Sequence, residues 1–138
     1  MNAFQQQIAG LAELVSARLG GLTVQLQPIP GDVPVVQLTI EGREELPIFL
    51  TRAEPQILCI VYLWDDTEVR PEQRTEILET LLDLNISIPL SAFGRIAGRH
   101  VLFGALARDA SCEDIAEDVA ALSDNALDAL TALSEFLH

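Results

Sequence analysis

Residues Ile57 to Trp64 form an unbroken run of eight apolar side chains, Ile57-Leu58-Cys59-Ile60-Val61-Tyr62-Leu63-Trp64. A membrane-spanning helix needs about 20 such residues. The run is therefore a strand, rich in β-branched and aromatic residues and apolar on both faces, as the centre of a covered sheet requires. Whatever flanks it must supply pairing strands on both sides and at least one covering layer.

The flanking segments meet that demand. Phe4, Ile8, Leu11, Val15 and Leu19 recur at helical spacing up to Gly20-Gly21, which predicts an amphipathic helix over residues 3–19. Leu22, Val24 and Leu26 alternate with polar neighbours up to a Pro28-Ile29-Pro30-Gly31-Asp32 turn, and Val36, Leu38 and Ile40 alternate again. Two strands and a hairpin are expected, with a shorter strand over Leu46–Thr51. Pro71 suits the first turn of a second helix, whose stripe is Ile77, Leu78, Leu81 and Leu82 and whose end is marked by Asn85 and Pro89. Leu90–Ile96 and Arg99–Leu106 form a second hairpin around Ala97-Gly98. Ser111 then caps a last helix of about 25 residues, with Asp114 in the third position and a kink expected near Ser123-Asp124-Asn125. The expected fold is a single α+β domain over residues 1–138, an antiparallel sheet with helices packed on it in the order α-β-β-β-β-α-β-β-α. At 138 residues and 49% hydrophobic content it can build one core without disulfides or metal.

Charge narrows the function classes. There are 21 acidic residues against 8 basic ones, a net charge of −13, and every basic residue is Arg. Nonspecific nucleic-acid binding needs a cationic surface that displaces counterions from phosphate, so that class is excluded. The imbalance is uneven: residues 84–108 contain no acid but hold Arg95, Arg99 and Arg108, an island of +3, while the remaining 5 Arg and 21 acidic residues amount to −16. Such an island is either a contact for an acidic partner or second subunit, or a hairpin whose arginines line its own ends. The last 30 residues hold eight carboxylates and no Lys or Arg. That helix face is either solvated or meets a basic amphipathic partner.

Chemistry is sparse. The first seventeen residues carry no Lys or Arg, so no secretory leader is expected and the chain is expected in the cytoplasm. Cys59 and Cys112 fit neither a redox pair nor a zinc pair and are read as reduced thiols. The two histidines, His100 and His138, form no metal motif, and no phosphate loop accompanies Gly94 and Gly98. His100 with Cys112 would be the one nucleophile–base pairing; the alternative is a satisfied or exposed strand histidine. Asp65-Asp66 could act as acid and base or hold a hard cation, yet neighbours on a strand point to opposite faces, and the competing reading is a solvated turn leading to Pro71. No cofactor is expected.

Two stretches, Ser91-Ala92-Phe93-Gly94-Arg95-Ile96 running into Arg99-His100-Val101-Leu102-Phe103-Gly104-Ala105-Leu106, and Leu122-Ser123-Asp124-Asn125-Ala126-Leu127-Asp128-Ala129-Leu130, resemble the YjfI family of small bacterial proteins. That resemblance implies a cytoplasmic protein without established enzymatic function, encoded beside coiled-coil membrane-stress proteins of the phage-shock protein A type. The element order is also similar to type III secretion chaperones, small acidic dimeric α+β proteins that hold an extended client segment. This implies client grooves on the first helix and sheet, and a dimer contact on the second helix and its neighbouring strands. The expectation is thus a non-enzymatic, chaperone-like protein-binding module, a homodimer with Arg95, Arg99 and Arg108 at its partner or dimer contact. The rival readings are a metal-assisted enzyme using Asp65 and Asp66, and a structural subunit of a larger assembly.

Overall fold

The computed structural model describes residues 2–138. Two short helices, α1 (Ala3–Gln7) and α2 (Leu11–Arg18), precede the strands β1 (Val24–Ile29), β2 (Val35–Ile40), β3 (Ile48–Arg52) and β4 (Gln56–Asp65). Helix α3 (Arg74–Leu84), strands β5 (Ala92–Ile96) and β6 (Arg99–Ala107), and helix α4 (Cys112–Ala132) complete the chain. The six strands form one antiparallel sheet in the order β1-β2-β3-β4-β6-β5. The apolar run lies in β4, paired with β3 on one side and β6 on the other, which bears out its reading as a central strand.

Alternation decides the layers. Val36, Leu38, Ile40, Ile48, Leu50, Ile57, Cys59, Val61 and Leu102 are buried on one face under the helices, while Phe49, Leu58, Ile60, Tyr62 and Phe103 are half-buried on the other. Helix α4 lies across β4 and β6, and α2 packs on α4 and β1. Ala97 and Gly98, with φ of 49° and 80°, form the two-residue turn between β5 and β6, a geometry whose twist suits a hairpin and that glycine adopts without strain.

Three local expectations change. The first helix is two helices, because Gly10 takes φ of 85° and caps the start of α2. Strand β1 continues through Pro28, which pairs with Val36. It can do so because β1 is the sheet edge, where a missing N–H costs no ladder bond. Helix α4 runs unbroken from Cys112 to Ala132, through Ser123-Asp124-Asn125, with the Ser111 side chain accepting from the Asp114 amide at 3.1 Å.

One contact sets how closely α4 approaches the sheet. Asp118, on the buried face of α4, lies directly over Gly104 of β6. A methyl group at Gly104 would come within 2.8 Å of the Asp118 carboxyl carbon and Oδ1, and closer still to Oδ2, so only glycine fits. Asp118 has no cation beside it, and its Oδ2 has no hydrogen-bond partner among the described residues. Burial raises its pKa to about 6, against a hydrogen bond with the Cys59 thiol that lowers it; the nearby Glu117 carboxylate raises it further.

Candidate functional site

The two adjacent carboxylates at the end of β4 are drawn apart. Asp65 stays exposed and pairs with Arg99, its register neighbour on β6, at 3.3 Å. Asp66 turns back over the β5–β6 hairpin. Its amide donates to the Gly98 carbonyl at 2.8 Å, and its carboxylate accepts from Arg95 through both Nε and Nη2. His100 Nε2 lies 2.8 Å from Oδ1, and Arg74 Nη2 lies 3.5 Å from Oδ2. An ionised carboxylate only accepts, so the imidazole proton sits on Nε2. Hydrogen bonds from Arg95 chiefly, and from His100, hold the Asp66 carboxyl down at about 2 against the opposing effect of burial.

Asp66 therefore joins the β4 exit, the start of α3 and the β5–β6 hairpin. Its pKa is lower in the folded chain than the ordinary 3.8, so the stabilisation is present above pH 3.8 and is lost as pH falls towards 2. Asp66→Asn is expected to cost about 1–2 kcal/mol at pH 6 and almost nothing near pH 2, after discounting for solvent screening. Urea unfolding at the two pH values checks this; an equal loss at both would mean the carboxylate charge is irrelevant.

His100, only 3% exposed, stacks on Trp64 with ring centroids 5.5 Å apart. Both rings are buried, and His100 Nδ1 has no hydrogen-bond partner among the described residues. Cys112 is elsewhere, its thiol donating to the Ala9 carbonyl at 3.5 Å, so His100 and Cys112 do not meet as a nucleophile–base pair. Burial pushes both thiols up, Cys59 strongly. Among the described residues no group of three or more His, Cys, Asp or Glu is placed to hold a metal ion. Asp65 and Asp66 each face arginine instead, so a hard cation would have to displace guanidinium from both.

The basic island does not form one patch. Arg95 lies on the helix-bearing side against Asp66. Arg99 reaches the opposite sheet face, its guanidinium carbon 4.0 Å from the centre of the Tyr62 ring. Arg108, at the far end of β6, donates to the Ala53 carbonyl at 2.7 Å and lies 3.8 Å from the Glu54 carboxylate. Each arginine of the island is paired with a carboxylate of the same chain and remains about half exposed.

A different surface stands out. The stripe expected to bury Ile77, Leu78, Leu81 and Leu82 buries only Ile77 and Leu81; Leu78 and Leu82 face outward. Leu82 is 69% exposed and Ile86, one turn further on, is 90% exposed. Leu90 and Ile96 are exposed too but lie elsewhere, Ile96 on the sheet face of its register partner Arg99 and Leu90 beside the end of β6 and the start of α4. Between α3 and β5 runs a cavity of about 310 Å³ lined by Leu78, Leu81, Leu82 and Phe93 and ending at Arg95 and His100. The Asn85 side chain accepts from the Phe93 amide at 2.6 Å and donates to its carbonyl at 3.5 Å, which occupies the backbone groups of that one residue on the edge strand. The face is thus readable through side chains and closed at that point to an added strand. The sequence held the signal, a helix with more apolar positions than one buried face can use.

No helix among the described residues is long and apolar enough to cross a membrane. No curated protein sequence matches the chain. Among solved structures, it is similar to a chain of the heterodimeric ExoU–SpcU complex from the type III secretion system of Pseudomonas aeruginosa, with a TM-score of 0.52 and 17% identity over 92% of this chain and 97% of that one. It is similar also to a chain of the ExsC–ExsE complex, with a TM-score of 0.52 and 16% identity over 96% and 97% of the two chains. At such identities the likeness speaks for the fold alone, and it bears out the expected α+β architecture of an antiparallel sheet with helices packed on it. Residues 5–137 match the model of one bacterial family, so the chain belongs to the uncharacterized proteins conserved in bacteria grouped as DUF2170.

Proposed function

We propose that this chain is a non-enzymatic, chaperone-like protein-binding module that works as a homodimer in the cytoplasm, with the α3–β5 face as its self-contact. The observation that carries this reading is the outward stripe of Leu78, Leu82 and Ile86 beside the Leu81–Phe93 groove. Contiguous exposed apolar surface of this kind marks interaction sites. Support for a binding role comes from the fold, which the similar structures carry within two-protein complexes. Arg95, at the end of the groove, is assigned to the dimer contact. Arg99 and Arg108, on other faces, are assigned to a second contact with a protein partner. That partner is of the phage-shock protein A type, the kind implied by the resemblance to the YjfI family.

Leu82→Asp tests the self-contact without touching the core. Size exclusion with light scattering is expected to show the mass falling from a dimer to the single 15.0 kDa chain, with the circular dichroism spectrum unchanged. A variant that folds and keeps the dimer mass would place the contact elsewhere.

A further inference from the structure

A second cleft lies away from α3, where the β2–β3 turn meets the C-terminal half of α4. It holds about 430 Å³, lined by Leu46, Leu63, Leu127 and Leu130 and bordered by Gly42 through Glu45. Its walls are fastened together. Arg43 Nη1 donates to Ser123 Oγ and Asp124 Oδ1, both at 2.8 Å, tying the turn to α4. Glu44 accepts from the Gly42 amide at 3.0 Å, which fixes its carboxylate at the rim. Leu127 is exposed beside this opening, a large apolar side chain on the solvent side of α4.

The rim is acidic. Glu44 and Glu45 line it and form no ion pair among the described residues, while Arg43, which lines it too, is neutralised by Asp124 on α4. The chain has no Lys, and six of its eight Arg are ion-paired within it. The other two, Arg52 and Arg70, donate to Gln7 Oε1 and the Leu137 carbonyl. A second copy therefore has little positive charge to offer this rim.

We infer that this cleft seats a basic amphipathic segment of another protein, its apolar side chains entering among Leu46, Leu63, Leu127 and Leu130 and its Arg or Lys groups meeting Glu44 and Glu45. The inference rests on the reading of the chain as a protein-binding module and names the client class. Apolar burial supplies the affinity, and the charged rim supplies orientation and speed of encounter.

The probe is the N-acetylated, C-amidated peptide LRRLLRRL, titrated into the isotope-labelled chain and followed by amide chemical shifts. The expected result is micromolar binding with shifts centred on Leu46, Leu63, Leu127 and Leu130, weakened by salt. Replacing the arginines with glutamine (LQQLLQQL) or the leucines with alanine (ARRAARRA) is expected to weaken binding about tenfold or more. The exposed substitution Leu127→Gln is expected to weaken it ~fivefold without unfolding the chain. Equal binding of either control peptide overturns the inference, as do shifts centred on another surface or no binding at ~1 mM peptide. Concentration-dependent shifts of the same amides without peptide would give the cleft to a second copy and overturn it too. The dimer mass is read separately, so a chain that dimerises yet ignores the peptide loses this inference and keeps its self-contact.

Discussion

Gly104→Ala is expected to lower stability by about 2–4 kcal/mol in urea unfolding, since of the chain's glycines this one has the closest neighbour in the path of a Cβ. The new carbon would collide with the Asp118 carboxyl. The atoms in the way are those of the buried Asp118 side chain, and β6 is held between β4 and β5 with α4 packed over β4 and β6, so relief requires the carboxyl to turn out of its place or α4 to lift. Asp118→Ala removes the obstruction, so the double variant should regain most of the loss, and the two changes should couple by more than about 1 kcal/mol. Additive losses would mean that α4 does not sit where its contact with Gly104 places it.

Asp118→Asn should have the opposite sign at neutral pH. The carboxyl titrates at about 6 in the folded chain against an ordinary value of 3.8. A pKa raised by folding means the neutral form is the one the fold accommodates: the relative stability is fully present below pH 3.8 and is lost as pH rises through 6. At pH 8 the ionised group costs about 2–3 kcal/mol. The amide removes that cost but keeps an incompletely bonded polar group, so the expected gain is about 1–2 kcal/mol at pH 8 and near zero at pH 4. Urea midpoints at both values decide it, and a gain independent of pH would contradict the buried acid as its source. The acid limb from Asp66 lies in a separate window, below pH 3.8, and runs the other way.

Elements written in local pattern were legible in the sequence. The apolar run became β4, alternation placed β2, and Ser111 capped the last helix where expected. What depends on neighbours distant in sequence was harder to read. Pro28 marked the end of a strand because nothing local says that β1 is an edge. Asp66 and His100 are 34 residues apart, and their bond follows from β6 pairing with β4, a register that local pattern leaves open. Asp118 interrupts an apolar stripe, a visible irregularity, but its meaning needed Gly104 opposite. Sequence grouped Arg95, Arg99 and Arg108 into one charge feature, whereas strand alternation and the length of β6 send them to different surfaces. The exposed half of α3 could have been found by counting, since four large apolar residues within six positions exceed what one buried helix face holds.

The excess of carboxylates and the outward leucines of α3 bear on the same question from two sides. Net charge keeps such a chain dispersed. An apolar face retained against that background is costly in water unless something covers it. Sedimentation equilibrium of the unaltered chain reads whether a second copy does so. A mass of about 30 kDa, twice the 15.0 kDa chain, at micromolar concentration is the expected result for a two-fold dimer. A single species at 15.0 kDa across the concentration range would contradict the self-contact through α3 and β5.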